Sequence, residues 1–65
     1  MTVEVNKEKI EAKSTRLHDL LEEMRISLKG IAVAINNKVV SRFEWKKTQI
    51  KENDKITIIR ATQGG

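Results

Sequence analysis

The stretch KITIIRATQGG, residues 55–65, decides how the rest of the chain is arranged. It begins with β-branched residues that alternate between two faces, a pattern that predicts a buried strand. It ends in two glycines, whose lack of a Cβ leaves a narrow backbone that can enter a tight channel. We therefore expect an anchoring strand and a tail that presents the chain's own α-carboxylate. A frayed end without a role would carry the same two glycines.

Length and composition narrow the class of protein. The chain has 65 residues, which predicts one small domain, and no cysteine, which excludes disulfides, thiolate metal sites and thiol nucleophiles. Its net charge is +4, but basic residues are interleaved with acidic ones along every segment. With so few aromatic residues, this pattern favours a mixed-charge surface over a nucleic-acid interface. No long apolar run or signal-peptide pattern is present, so we expect a cytoplasmic protein that does not bind membranes.

The first segments predict a β-hairpin. Residues 2–6 and 9–13 each alternate apolar and polar side chains, and the turn between them contains Asn6, which tolerates a positive φ. The side chains expected to face the core are Val3, Val5, Ile10 and Ala12.

One helix of any length is predicted after this hairpin. Ser14-Thr15 offers an N-cap, and apolar residues then recur at offsets of three, four and seven. His18 lies off that stripe and is expected to be a surface residue and not a ligand or base. The helix is expected to fray between Arg25 and Gly30. The stripe consists of Leu17, Leu20, Leu21, Met24 and Leu28.

Residues 31–35 form a nearly continuous apolar run, which is typical of a central strand. We expect Val33 and Ile35 in the core, with Ala32 and Ala34 forming a flat patch on the far side. Asn36-Asn37 then turns the chain into a short strand at Val39-Val40.

The segment after this strand is a small excursion. Residues 41–44 have the spacing of a capping box, so one helical turn is expected to hold Phe43 and Trp45 against an end of the sheet. A role of these aromatics in partner contact is the alternative. Residues 48–50 predict a short edge strand, and Asn53 is expected in the left-handed conformation before the last strand.

The order of these elements predicts a small α+β domain with one helix on a mixed sheet of four to five strands. The domain is expected to span residues 1–61, followed by a flexible tail at residues 62–65. With first and last strands side by side, this is the β-grasp arrangement of ubiquitin-like proteins. The hydrophobic pattern does not itself reveal that parallel pairing.

Several short motifs occur in a characteristic order along the chain. They are Val5-Asn6, Thr15 before His18-Asp19-Leu20-Leu21, Ala34-Ile35-Asn36 before Val39-Val40, Trp45, Asp54-Lys55-Ile56 and Gly64-Gly65. Through these motifs the sequence resembles the ThiS family of thiamine-biosynthesis sulfur carriers over essentially its whole length. Proteins of that family often have glycine at the position of Asn53 and commonly have proline at that of Ser41, but neither departure touches the tail.

The resemblance implies a carrier and not an enzyme. A ThiF-type adenylyltransferase would use MgATP to convert the carboxylate of Gly65 to an acyl-adenylate, and sulfur from a sulfur-donating enzyme would displace the adenylate. The resulting thiocarboxylate would then give its sulfur to a thiazole synthase. The chain itself would bind no metal and no cofactor. Its sequence agrees, because it contains no phosphate loop, metal-ligand set or acid/base pair.

The same resemblance assigns roles to the end of the chain. Gly65 would carry the reacting carbonyl, and Gly64 would leave the approach to it unobstructed. Arg60, Ala61, Thr62 and Gln63 would line the entry channel of the partner through main-chain contacts.

A docking patch is predicted beside the tail. Ile59 is an odd number of positions away from Ile56 and Ile58 and therefore lies on the opposite face of the strand. There it could join Ala32 and Ala34 in an exposed apolar patch. The alternative is that Ile59 is a tolerated exposed apolar residue.

Three other functions stay open at this point. The small subunit of molybdopterin synthase and a ubiquitin-like modifier would share the tail and its activation. A nucleic-acid-binding β domain would instead show strongly salt-dependent binding to oligonucleotides.

Overall fold

Five strands and one α-helix make up the part of the chain that the structure, a computed structural model, describes, which is residues 1–60. The predicted domain boundary after residue 61 lies outside that part. The elements are β1 (Thr2–Val5), β2 (Glu8–Glu11), α1 (Leu17–Glu23), β3 (Ile31–Ile35), β4 (Lys38–Val40), a 3₁₀ turn (Arg42–Glu44) and β5 (Lys55–Arg60).

The last strand lies in the middle of a single mixed sheet. The strand order is β2-β1-β5-β3-β4, with β5 parallel to β1 and antiparallel to β3. Val5 pairs with Ile56, and Val33 pairs with Ile58. The predicted β-grasp arrangement, with first and last strands adjacent, is therefore confirmed.

The core lies between α1 and one face of the sheet. Leu17, Leu20 and Leu21 of α1 are fully buried. A seven-residue helix is too short to be stable alone in water, so this packing, about 1.5–3 kcal/mol per buried side chain, holds it in place. The buried residues are Val3, Val5, Ala12, Leu17, Leu20, Leu21, Val33, Trp45, Ile50 and Ile56.

The start of α1 differs from the prediction. The N-cap is Arg16, whose side chain makes no capping hydrogen bond, and not Ser14 or Thr15. The N–H groups of the first helical turn have no acceptor within the helix. Two of them bond to a neighbouring loop: Leu17 N donates to the carbonyl of Thr48 at 2.9 Å, and His18 N donates to that of Trp45 at 3.1 Å. A side-chain cap is unnecessary where a neighbouring loop supplies the acceptors.

The helix α1 also ends earlier in the chain than predicted from the apolar stripe, which extends to Leu28. The helix ends at Glu23, and Arg25 has a φ of 59°. A residue in the left-handed region cannot continue an α-helix. Leu28 therefore packs against the core from the following loop.

Glu23 ties the end of α1 to the connection that precedes it. Its carboxylate accepts hydrogen bonds from the Ser14 hydroxyl at 2.7 Å and from the backbone N–H groups of Lys13 and Ser14. These bonds, the Ser14 hydroxyl first, hold the pKa of Glu23 below its ordinary value.

We expect Glu23→Ala to lower the melting temperature at neutral pH and to have little effect in strong acid. Because the folded-state pKa of Glu23 is depressed, its contribution to stability is present above the unfolded-state pKa and is lost as the pH falls through the folded-state pKa. Thermal melts at about pH 7 and about pH 2 would measure this. Glu22→Ala, at the neighbouring exposed position of α1, is the matched control, because within residues 1–60 its carboxylate accepts no hydrogen bond from Lys13 or Ser14. Equal losses for both variants at neutral pH would contradict the assignment.

Two hairpin turns have the same backbone geometry. Asn6 and Lys7 have φ of 50° and 71°, and Asn36 and Asn37 repeat these values. Two consecutive positive φ values are the mark of the tight type I′ hairpin turn. The prediction of a positive φ at Asn6 is confirmed, as is that at Asn53, where φ is 69°.

The two aromatic residues have different environments. Trp45 is buried, and its indole N–H donates to the carbonyl of Val40 at 3.0 Å, whereas Phe43 is 87% exposed. The prediction that Phe43 packs on the sheet is therefore wrong. Successive residues of a 3₁₀ turn point about 120° apart, so residues two apart cannot both face the core.

The predicted edge strand at residues 48–50 is not a strand of the sheet. Gln49 makes one isolated bridge to Arg16, and Ile50 is buried with its N–H donating to the carbonyl of Thr15 at 2.9 Å. This loop closes the start of α1 instead of extending the sheet.

Candidate functional site

The sheet face opposite α1 carries an apolar surface beside the end of β5. Ala32 pairs with Ile59 in the antiparallel ladder, and Ala34 pairs with Val39. Directly opposite residues share a face, and Val33 and Ile56 occupy the buried one. We call Ala32, Ala34, Val39 and Ile59 the outer patch.

The outer patch is accessible. Ile59 is 62% exposed and Val39 80% exposed, while Ala32 is exposed and Ala34 half-buried. The structure thus places Ile59, Ala32 and Ala34 on one surface. Val39 was not predicted to belong to it, although its alternation with Val40 and the small Ala34 opposite could have indicated it.

Charged residues border the outer patch on one side. Glu4 of β1 pairs with Lys55 of β5 and with Lys9 of β2. Lys55 is on the same face of β5 as Thr57 and Ile59, so these charged residues lie on the outer face. The outer face is therefore apolar over β3, β4 and the end of β5, and charged over β1 and β2. An exposed apolar surface with a polar border is typical of protein–protein contact.

Arg60 lies on the other face from Ile59. It pairs with Ile31 and lines an open groove of about 280 Å³ together with Ile10, Met24 and Ile58. Its side chain is therefore separate from the outer patch. Ala61, Thr62, Gln63, Gly64 and Gly65, to which the sequence assigned the channel contacts and the reacting carbonyl, lie outside the described residues.

The asparagines that follow β1 and β3 each accept a hydrogen bond from the backbone of β5 with their side chains. Asn6 Oδ1 accepts from the N–H of Ile58 at 2.8 Å, and Asn36 Oδ1 accepts from that of Lys55 at 3.0 Å. Asn36 Nδ2 also donates to Asp54 Oδ1 at 3.1 Å. The β1–β5 ladder ends at the pair Val5 and Ile56, so Asn6 extends the support of β5 by two residues toward the tail. Sequence reasoning found both turns but not these side-chain contacts.

We expect Asn6→Gly to lower the free energy of unfolding by about 1 kcal/mol, the usual net value of one hydrogen bond. Glycine keeps the positive φ and removes only the acceptor for Ile58 N–H. Denaturant unfolding measures the loss, and hydrogen exchange of the Ile58 amide should become faster. Asn53→Gly, at a φ of 69°, is the matched control and should change stability less. Unchanged protection of the Ile58 amide would contradict this role.

One group of possible metal ligands occurs among residues 1–60, on α1. His18 Nδ1 lies 3.7 Å from Asp19 Oδ1 and 3.8 Å from Glu22 Oε1, and both carboxylates are well exposed. Exposed carboxylates often cluster on a helix surface without holding a metal ion, and the group is remote in sequence from the end of β5. Within residues 1–60, no helix has the length and apolar character needed to cross a membrane.

A five-stranded mixed sheet with one helix on its inner face and a central last strand defines a ubiquitin-like β-grasp domain. The family model named ThiS family matches residues 1–65. The chain belongs to the ThiS family.

Curated relatives support that assignment. The chain is 33% identical over 49 residues to the sulfur carrier protein ThiS of Escherichia coli, covering 75% of this chain and 74% of the relative. It is also 33% identical over 49 residues to the sulfur carrier protein ThiS of Thermus thermophilus, covering 75% of this chain and 77% of that protein.

Solved structures show the same fold. The crystal structure of the thiamine biosynthesis protein ThiS from Geobacter metallireducens superposes with a TM-score of 0.86 at 20% identity and full coverage of both chains. The solution structure of a thiamine biosynthesis protein from the same organism gives 0.77 at 20% identity, over all of this chain and 88% of the other.

Proposed function

We propose that this chain is a sulfur carrier for formation of the thiazole ring of thiamine. The observation that carries the proposal is the family match, which extends through Gly64 and Gly65. The relatives named sulfur carrier protein support the same function.

The reacting group of the carrier is the α-carboxylate of Gly65. It is ionised at neutral pH and is a poor electrophile, so it needs activation. In the first step the carboxylate attacks the α-phosphorus of MgATP on a ThiF-type adenylyltransferase, and pyrophosphate leaves. In the second step sulfide supplied by a sulfur-donating enzyme attacks the acyl carbon, the bond from that carbon to the adenylate oxygen breaks, and AMP leaves, so that the thiocarboxylate forms without a change of oxidation state. The chain lacks cysteine, so the sulfur is held only as the thiocarboxylate.

The outer patch is the proposed docking surface for the adenylyltransferase. Ile59 is the last outward-facing residue of β5, so a partner that covers it also receives the backbone that continues through residues 60–64 into its channel. Exposed aliphatic side chains with a charged border suit such an interface. Because β5 is paired on both sides, its last described residue, Arg60, has a fixed position in the sheet.

The thiocarboxylate is then proposed to pass to a thiazole synthase. All catalytic groups would come from these partners, and the chain would act as a substrate of each in turn. A cytoplasmic location is part of this proposal, since the activation step consumes MgATP.

Intact mass spectrometry tests the function. The full chain is incubated with a ThiF-type adenylyltransferase, MgATP and a sulfur-donating enzyme, and we expect the mass change of one oxygen replaced by sulfur. A covalent conjugate to a second protein would instead indicate a modifier. An unchanged mass, with a curated relative converted in parallel, would overturn the proposal.

A further inference from the structure

A second exposed surface lies on the helix side of the molecule, away from the outer patch. An open groove of about 300 Å³ is formed where the 3₁₀ turn meets α1 and the loop after it. We call it the aromatic groove. It is lined by His18, Leu28, Arg42, Phe43, Trp45 and Lys46.

Phe43 is the exposed apolar side chain of this groove. It is 87% exposed, compared with 80% for Val39 and 62% for Ile59 on the outer patch. Leu28 and Trp45 pack on the core and form an apolar floor beside it. An aromatic ring next to a partly apolar groove is a typical anchor of protein–protein contact.

The charged groups that line the groove are basic. Arg42 and Lys46 are exposed, and within residues 1–60 neither forms a salt bridge. None of the lining residues is acidic. The nearby carboxylates of Asp19 and Glu22 lie against His18 and do not line the groove. The lining therefore complements a negatively charged ligand.

Arg42 is held in position before any ligand arrives. Its Nη2 donates to the carbonyl of Leu28 at 2.7 Å, and its guanidinium lies 5.7 Å from the centroid of the Trp45 ring. A guanidinium has five N–H donors, so others remain for a carboxylate. Holding the side chain in place in advance lowers the entropy lost on binding.

We infer that the aromatic groove binds an acidic segment of a partner protein. One aliphatic side chain of the segment contacts Phe43 and the partly exposed Leu28, and flanking carboxylates bind Arg42 and Lys46. A single exposed aromatic ring favours one apolar anchor over the stacked bases of a nucleic acid. The outer patch is on the opposite side of the sheet, so the two surfaces can be occupied separately.

A titration of the isotopically labelled full chain tests the inference. The probe is the blocked peptide acetyl-Asp-Glu-Leu-Glu-Asp-amide, and the comparison is its Asn/Gln counterpart with the same leucine. We expect amide shifts confined to His18, Leu28 and residues 42–46, together with the indole N–H of Trp45. Binding should have a Kd of about 1 mM and be about tenfold weaker for the uncharged peptide.

Matched variants separate the groove from general charge. Phe43→Ala and Lys46→Gln should each weaken binding about fivefold or more, and neither should alter the melting temperature appreciably. Val39→Ala, an equally exposed apolar position on the outer patch, and Lys38→Gln should leave binding unchanged. Arg42→Gln removes the other basic side chain discussed for the groove, and its peptide binding is measured in the same way.

Three results would overturn the inference. One is the absence of shifts at about 10 mM peptide, tenfold above the expected Kd. Another is binding that Phe43→Ala and Lys46→Gln leave intact. The third is a stronger response at the same residues to single-stranded oligothymidylate than to the acidic peptide, which would indicate a nucleic-acid surface.

Discussion

Removal of Gly65 should abolish adenylation and thiocarboxylation while leaving the melting temperature unchanged. The shortened chain would end one residue too early to place its carboxylate at the α-phosphorus of ATP, and a misplaced nucleophile loses the advantage of proximity. Among residues 1–60, every buried core residue lies between Val3 and Ile56, and the ladder between β3 and β5 ends at Arg60. The fold should therefore not respond to the loss of residue 65.

Two measurements on the same protein separate these effects. ATP–pyrophosphate exchange with the adenylyltransferase reports activation, and a thermal melt reports folding. A chain with one glycine added after Gly65 is the matched control. It still ends in glycine and differs from the original chain only in length. Normal exchange with the shortened chain would refute the role of Gly65.

Ile59→Glu should weaken binding of the adenylyltransferase by about 2 kcal/mol, or roughly thirtyfold in Kd. The substitution places a carboxylate in the outer patch, where a partner would have to desolvate it. The side chain is 62% exposed, so the folded chain alone should tolerate the charge. Calorimetric titration with the partner enzyme measures the effect.

Phe43→Glu is the matched control for this prediction. Phe43 is also an exposed apolar residue, but it lies in the aromatic groove and not on the outer patch. Binding to the adenylyltransferase should survive that change. A large fall in the melting temperature of Ile59→Glu with unaltered binding would instead make Ile59 a structural residue.

Local patterns made the strands and their faces predictable. The alternation of Ile56, Ile58 and Ile59 separated buried from exposed positions in β5, and the same rule placed Ala32 and Ala34 opposite Val33. These assignments depend only on the two-residue period of a strand. The parallel pairing of β1 with β5 depends on contacts about fifty residues apart, which the hydrophobic pattern does not reveal.

Features that depend on distant backbone atoms were not predictable. The start of α1 is fixed by carbonyl groups of Trp45 and Thr48, which no local capping motif reveals. The contact from Asn6 to Ile58 needs the register of the finished sheet. The exposure of Phe43 follows from the 3₁₀ geometry of its turn, which the capping-box spacing did not distinguish from an α-helical turn.

The central position of β5 also has a mechanical consequence. A partner that draws the end of the chain into a channel pulls along the axis of this strand. Its ladders with β1 and β3 and the contacts from Asn6 and Asn36 then bear the load in shear, so several hydrogen bonds must break together. An edge strand under the same pull would be held by one ladder instead of two. The domain should thus withstand traction on its terminus in the proposed transfer between enzymes.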